Sequence, residues 1–281
     1  MASCASMCCL TALSMPPTST KVNEMSEKKK VFRHEWKYLV SYPEAELLQR
    51  RLSPFLSLDR NAAGGEYMIR SLYFDDMNDS AYREKITGVN FRQKWRIRVY
   101  NCSDSRISLE RKTKNGSYIY KESALLTRGE FQKILDGDCK FLLEREENLC
   151  GEFYYEYMAH LLRPKVIADY ERTPLTLDAG TVRITFDKNV RAAIGSFDIF
   201  DAELPTLPAI EPGKLVLEVK YTSFLPQMVK TLLPLDGQEF SAFSKYTQCY
   251  EAAHHLTDPT AGISKTYISG RKQRNVYQGL F

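Results

Sequence analysis

The stretch Phe91-Arg92-Gln93-Lys94-Trp95-Arg96-Ile97-Arg98-Val99-Tyr100 decides the fold of this chain. Charged and apolar residues alternate along it with the period of two that belongs to a strand. Arg92, Lys94, Arg96 and Arg98 therefore share one face, and Phe91, Trp95, Ile97 and Val99 share the other. The apolar face must be buried, and helices are its natural cover. Four cations in one row repel each other unless water or an anion lies between them. Alone, this strand is consistent with a solvated exterior or with an interior that binds something.

Other segments decide between the two. Glu35 and Lys37 stand two apart, as do Glu110 and Lys112, and Glu218 and Lys220. Arg183, Thr185 and Asp187 form a further polar row, with Val182, Ile184 and Phe186 opposite. Where both faces are committed in this way and the apolar one packs outward, the charged rows meet inside. A charged interior is costly unless it is wet and its charges pair or bind a ligand. The pattern thus predicts a ligand-binding barrel interior. Its cations (Arg92, Lys94, Arg96, Arg98, Lys112, Lys121, Arg172, Arg183, Lys220) suit phosphate oxygens, which arginine can grip bidentately. Its carboxylates (Glu35, Glu110 and Glu218, with Asp187 alongside) suit a hard divalent ion, Mn²⁺ or Mg²⁺.

Outward from this core, strands are expected over 31–40, 66–75, 91–100, 106–113, 117–123, 165–173, 182–188 and 214–221. Asn115-Gly116 marks a hairpin turn. Helical spacing appears over 42–56, 128–136, 151–162 and 238–256. Ser41 is placed as the cap of the first, and Thr127 with Glu130 as the capping box of the second. Strand runs broken by isolated helices predict an α+β fold: an antiparallel eight-stranded β-barrel with peripheral helices.

Composition narrows the function classes. The 281 residues carry a net charge of only +4, which argues against a general nucleic-acid coat. No segment approaches the roughly 18 apolar residues that cross a bilayer, so no membrane segment is expected, and a separate membrane partner stays open. The seven cysteines lack metal or disulfide spacing and fit a reducing, cytoplasmic setting. Residues 1–30 read as a disordered tail or as an over-long start with true initiation at Met25. Residues 31–257 read as the domain, and 258–281 as a C-terminal extension. No nucleophile–base pair and no Walker-type glycine loop is present. Any catalysis would be phosphoryl transfer by positioning and charge neutralisation.

Taken in order, these segments resemble the triphosphate tunnel metalloenzyme superfamily, and within it the polyphosphate polymerase domain of the vacuolar transporter chaperone (VTC) complex. The cues span about residues 31–250: Lys37-Tyr38, Ser71-Leu72-Tyr73-Phe74-Asp75, Arg96-Ile97-Arg98-Val99-Tyr100, Glu110-Arg111-Lys112-Thr113, Tyr170-Glu171-Arg172-Thr173, Arg183 with Asp187, Leu217-Glu218-Val219-Lys220, and Ser244-Lys245. The resemblance implies that Lys37, Arg96, Arg98, Lys112, Lys121, Arg172 and Arg183 contact the triphosphate or the growing chain. It implies that Glu218 is the principal metal ligand, and that Ser244 and Lys245 touch phosphate from a C-terminal helix closing one mouth. The implied partners are ATP and inorganic polyphosphate, and the implied reaction is γ-phosphoryl transfer with Mn²⁺ or Mg²⁺. Hydrolytic members of the superfamily carry Glu-x-Glu-x-Lys on the first strand. Here Arg33-His34-Glu35-Trp36-Lys37 puts a cation where one acid would stand. That favours a polymerase over the alternatives, a triphosphate hydrolase of the same fold or a non-catalytic polyphosphate- or nucleotide-binding module.

Overall fold

The computed structural model describes residues 33–62, 64–116, 118–233 and 243–257. The expected tail (1–30), the extension 258–281 and the first part (238–242) of the last expected helix lie outside the described residues.

All eight expected strands form, and they make the main path of one antiparallel sheet. They are β1 (His34–Ser41), β3 (Tyr67–Asp75), β4 (Phe91–Tyr100), β5 (Ser103–Asn115), β6 (Tyr118–Leu126), β7 (Arg163–Leu177), β8 (Val182–Ala193) and β10 (Lys214–Tyr221). Their order is β1-β10-β8-β7-β3-β4-β5-β6. Two short strands not expected from the sequence, β2 (Ser57–Leu58) and β9 (Thr206–Pro208), pair with β7 and β8. Register shifts between Tyr73 and Phe74, between Arg98 and Tyr100, and between Asp169 and Glu171 interrupt the ladders, and such bulges curve a sheet.

The ring is not closed by a ladder. Among the described residues the edge strands β1 and β6 are joined by one backbone bridge, between Arg33, just before β1, and Ile119. Side chains complete the circle instead: Lys112 of β5 reaches Glu35 of β1, with Nζ 2.7 Å from a carboxylate oxygen. The eight-stranded barrel of the sequence reading is thus a curled, incompletely closed sheet of ten strands.

Among the described residues six α-helices surround or enter it: α1 (Tyr42–Leu52), α2 (Ser80–Thr87), α3 (Arg128–Asp136), α4 (Asn148–Ala159), α5 (Gln227–Leu232) and α6 (Lys245–Thr257). Capping boxes start α1 (Ser41 with Glu44) and α3 (Thr127 with Glu130), as the sequence spacing predicts. Two apolar layers lie on the outer face. Trp95, Ile97 and Val99 pack with Phe131 of α3 and Phe153 of α4. Ile184, Phe186, Leu217 and Val219 pack with Leu48 and Leu52 of α1 and Val229 of α5.

The third layer departs from the expectation that apolar residues face outward only. Ile69, Tyr73, Ala168, Tyr170 and Val216 share strand faces with the inward residues Ser71, Arg172 and Glu218, and they pack on Tyr246, Cys249 and Tyr250 of α6. The inside of the curled sheet is therefore divided. Part of it is filled by α6, and the rest is a charged cavity. Among the described residues no helix is long and apolar enough to cross a membrane.

Candidate functional site

The cavity has a volume of about 250 Å³, near the lower end for ligand pockets. Eleven lysine and arginine side chains line it against two glutamates, Glu35 and Glu218. The alternation of β4 delivers Arg92, Lys94, Arg96 and Arg98, while Trp95 and Ile97 face the opposite way into the core. Strands β1, β5, β7 and β10 add Lys37, Lys112, Arg172 and Lys220, and α6 with the residue before it adds Lys245 and Ser244. Twelve of the fifteen residues predicted for the site therefore meet there.

Three of the predicted residues do not line it. Lys121 is half-exposed and donates to Glu110 at 2.6 Å. Glu110 is buried behind the lining, where Arg96 grips it at 2.6 and 2.7 Å and Arg98 lies 3.9 Å away. Arg183 turns away to Asp59 (2.8 Å) and the phenol of Tyr67 (3.1 Å).

The cations fall into two groups. Lys112 and Lys37 flank Glu35 at 2.7 and 3.3 Å, and Lys37 also lies 3.6 Å from Glu218. Lys220 and Arg172 reach Glu218 at 3.1 and 3.4 Å. Arg172 binds buried Asp187 through two nitrogens at 2.6 and 2.7 Å, and Lys245 joins it at 2.6 Å. By contrast, Lys94 donates to the Ser244 hydroxyl (2.9 Å), Arg92 to the Val89 carbonyl (2.6 Å), and Arg98 to Ser71 and Tyr170 (3.0 Å each). Lys85 and Lys114 have no carboxylate partner within 4 Å among the described residues. An array of this kind has spare donors and spare positive charge.

The VTC domain family model matches residues 32–254, the greater part of the chain. The chain belongs to the VTC domain family. No curated protein matches it in sequence. Among solved structures it is similar to a protein of Bacillus halodurans provisionally described as an adenylate cyclase, at 13% identity and a TM-score of 0.43, covering 76% of this chain and 94% of that one. A protein of Pyrococcus horikoshii is similar at 12% identity and a TM-score of 0.39, covering 76% and 96%. A Vibrio parahaemolyticus protein, also provisionally described as an adenylate cyclase, is similar at 10% and 0.40, covering 74% and 88%.

The electrostatics of this VTC domain follow from burial and crowding. Burial, reinforced by Lys37, Lys85 and Arg92, holds the Lys94 ammonium well below the ordinary lysine value. Burial also pushes Lys85 and Lys220 down to about 8. Burial would raise the Tyr170 phenol, but Arg98, Arg172 and Lys245 outweigh it and bring it down to about 8. Burial likewise opposes ionisation of Glu35, yet Lys112, Lys37 and Lys220 win and hold it well below the usual carboxylate range. An anion drawn into the cavity would relieve the repulsion among the lysines.

Among the described residues no three acidic, histidine or cysteine side chains cluster as a preformed metal cage. The oxygen donors fit a different arrangement. Glu35 and Glu218 face the cavity within reach of the shared Lys37, and Thr185, the register partner of Glu218, has a buried hydroxyl without a hydrogen-bond partner. Hard oxygen donors in that number suit a divalent ion that arrives on phosphate oxygens. Glu110, behind its cations, does not belong to that set.

Sequence reasoning missed Lys85, Lys114, Tyr73, Ile119, Tyr170, Phe243 and Tyr246, which also line the cavity. Lys114 continues the Glu110–Lys112 alternation, and Tyr170 stands two residues from Arg172, so strand faces contained the signal for both. Lys85 sits on α2, a helix that the apolar pattern does not announce.

Proposed function

We propose that this VTC domain is a polyphosphate polymerase that transfers the γ-phosphoryl group of ATP to the end of an inorganic polyphosphate chain. The observation that carries this reading is the split among the cavity's charges. Among the described residues Lys85, Arg92, Lys94 and Lys114 have no carboxylate within 4 Å and Arg98 comes only within 3.9 Å of Glu110, so these are left to a polyanion, while Glu35, Glu110 and Glu218 are each gripped by two or more cations.

Transfer and hydrolysis ask different things of such a site. A chain-end phosphate is already an ionised nucleophile and needs no base, only approach in line with the leaving ADP oxygen and relief of charge repulsion. Water needs a base poised near the working pH. Glu35 is held well below the usual carboxylate range, and Glu110 is lowered as well, because Arg96, Arg98 and Lys121 outweigh its burial. Both are poor bases, which supports transfer. The unpaired cations would orient the triphosphate and absorb the charge that moves onto ADP. A divalent ion bound to the phosphates, with Glu218 and Glu35 as its protein ligands, would supply further neutralisation.

The test is to incubate the full chain with ATP and Mn²⁺ and resolve the products on a polyphosphate gel, beside Glu218→Gln. A ladder of long chains that the variant loses supports the polymerase and the metal role of Glu218. Free phosphate without chains moves the assignment to a hydrolase of the same fold. Triphosphate binding without turnover leaves a binding module.

A further inference from the structure

Helix α2 brings Lys85 to the cavity wall, yet none of its own side chains is buried. Its apolar contacts are confined to the first turn, where the half-buried Ala81 and Tyr82 pack on the layer around Tyr246 and Tyr250. Its N-cap residue Asp79 makes no side-chain capping bond to the helix. The first turn is held from outside, by Asp76, which accepts the Ser80 N–H at 2.9 Å, and by the buried carboxylate of Asp75 at the end of β3. One oxygen accepts the backbone N–H groups of Asp76 and Ala81, both at 2.9 Å. The other accepts the N–H of Tyr82 at 3.0 Å and the phenol of Tyr246, on α6, at 2.5 Å.

Asp75 is 1% exposed, and it joins two helices that each bear on the cavity. On one side is α2 with Lys85. On the other is the start of α6, where Lys245 is bound to Asp187 and the preceding Ser244 accepts from Lys94. The Tyr246 ring itself lies 5.0 Å from the Lys94 ammonium. Parallel ties strengthen the joint: Tyr250 donates to Asp79 (2.6 Å), Tyr82 donates to Glu251 (3.1 Å), and the Tyr82 and Tyr250 rings lie 4.7 Å apart. Asp75 is buried and bonds both helices. A carboxylate among helix N–H groups is favourable electrostatically as well as by hydrogen bonding.

We propose that Asp75, acting with Tyr246, is the positioning residue that fixes Lys85 against Lys94 and Lys245, so that cations on α2, β4 and α6 present a single polyphosphate site. The inference rests on the polyphosphate reading of the cavity. Asp75 touches no phosphate in this scheme, because its oxygens are spent on helix amides and a phenol.

The test is a double-mutant cycle on the full chain, with tripolyphosphate affinity measured by calorimetry for wild type, Asp75→Asn, Lys85→Met and the pair. Lys85→Met should weaken wild-type binding by about tenfold, the scale of one charge-assisted contact. In the Asp75→Asn background, itself weakened by about tenfold, the same change should cost under about twofold, because coupled sites are not additive. A residue that merely stabilises the fold would give additive losses. Tyr246→Phe, which keeps the α2 bonds and releases α6, provides a second cycle with Lys85→Met should Asp75→Asn fail to fold. Additive cycles, or unchanged affinity in Asp75→Asn, overturn the inference and leave the polyphosphate reading standing. A wild-type protein that does not bind tripolyphosphate overturns both.

Discussion

The wall of the cavity built from β1, β7 and β10 pairs its cations with carboxylates, whereas the wall built from β4 and α2 leaves most of its cations with hydroxyl or carbonyl partners alone. Lys37, Lys220 and Arg172 each lie within 4 Å of Glu35, Glu218 or Asp187. Lys85, Arg92 and Lys94 have no such neighbour among the described residues, and Arg98 comes only within 3.9 Å of Glu110. Arg96, bound to Glu110, is the exception on its strand. Identical residue types thus do two jobs. Paired cations are part of the fold, and removing either partner leaves a buried charge exposed to nothing. Unpaired cations crowd one another, so the empty protein holds them at a cost in stability that a bound polyanion removes.

Substitutions on the two walls should therefore act on different quantities. The largest effect is expected at Asp187, which is fully buried and holds both Arg172 and Lys245. Asp187→Ala should lower unfolding free energy by about 3–5 kcal/mol, the usual cost of stripping one partner from a buried pair. Denaturant titration reads this directly, and a loss under about 1 kcal/mol would erase the distinction between the walls.

Next is Arg98→Ala on the open wall. It should weaken tripolyphosphate binding by about 1.5–3 kcal/mol, the worth of hydrogen bonds to a charged group. Calorimetry measures it. Equal affinity in wild type and variant would mean that the row of β4 cations is not the phosphate surface.

A smaller and more diagnostic change is Lys94→Met. It replaces a desolvated ammonium that is hemmed in by Lys37, Lys85 and Arg92. We expect the melting temperature of the unliganded protein to rise and phosphate affinity to fall. Parallel losses of stability and affinity would place Lys94 with the paired cations instead.

The fold and the rows of cations were legible in the sequence because a strand has only two faces. Once Trp95 and Ile97 are assigned to a core, Lys94 and Arg96 have nowhere else to point. The same logic extends to Glu35, Lys112, Glu218 and Lys220. What could not be read was how charges divide among themselves. Glu110 and Lys112 are neighbours on one face of β5, yet one is buried behind Arg96 and Lys121 and the other reaches across to Glu35. Those choices depend on cross-strand register and side-chain reach. Arg183 lies beside Lys220 in the register, but Asp59, from the segment after β2, draws it out of the cavity. The helix inside the sheet was likewise hidden. Tyr73 and Tyr170 look like any strand aromatics until α6 is seen to lie on them.

The smallest expected effect, read from one lysine on each wall, is the response to pH. Lys85 and Lys220 fall to about 8 in the folded protein, below the ordinary lysine value near 10.4 that they regain on unfolding. Between about pH 7 and 8.5 the unfolded chain therefore binds more protons than the folded one, and stability rises with pH. Above that window the buried thiols of Cys139 and Cys150, raised to about 11, oppose the trend as unfolded cysteines begin to ionise. Polyphosphate binding should respond in the opposite sense. A bound anion favours the ammonium forms, so binding takes up protons and weakens as pH rises through 8. Calorimetry in buffers of different ionisation enthalpy reads the proton uptake, and thermal melts of the unliganded protein read the stability. Stability and affinity that fall together over pH 7–8.5 would show that these lysines are not crowded by their neighbours. Opposite slopes, both reduced in Lys85→Met, would locate the stored repulsion at the mouth formed by α2.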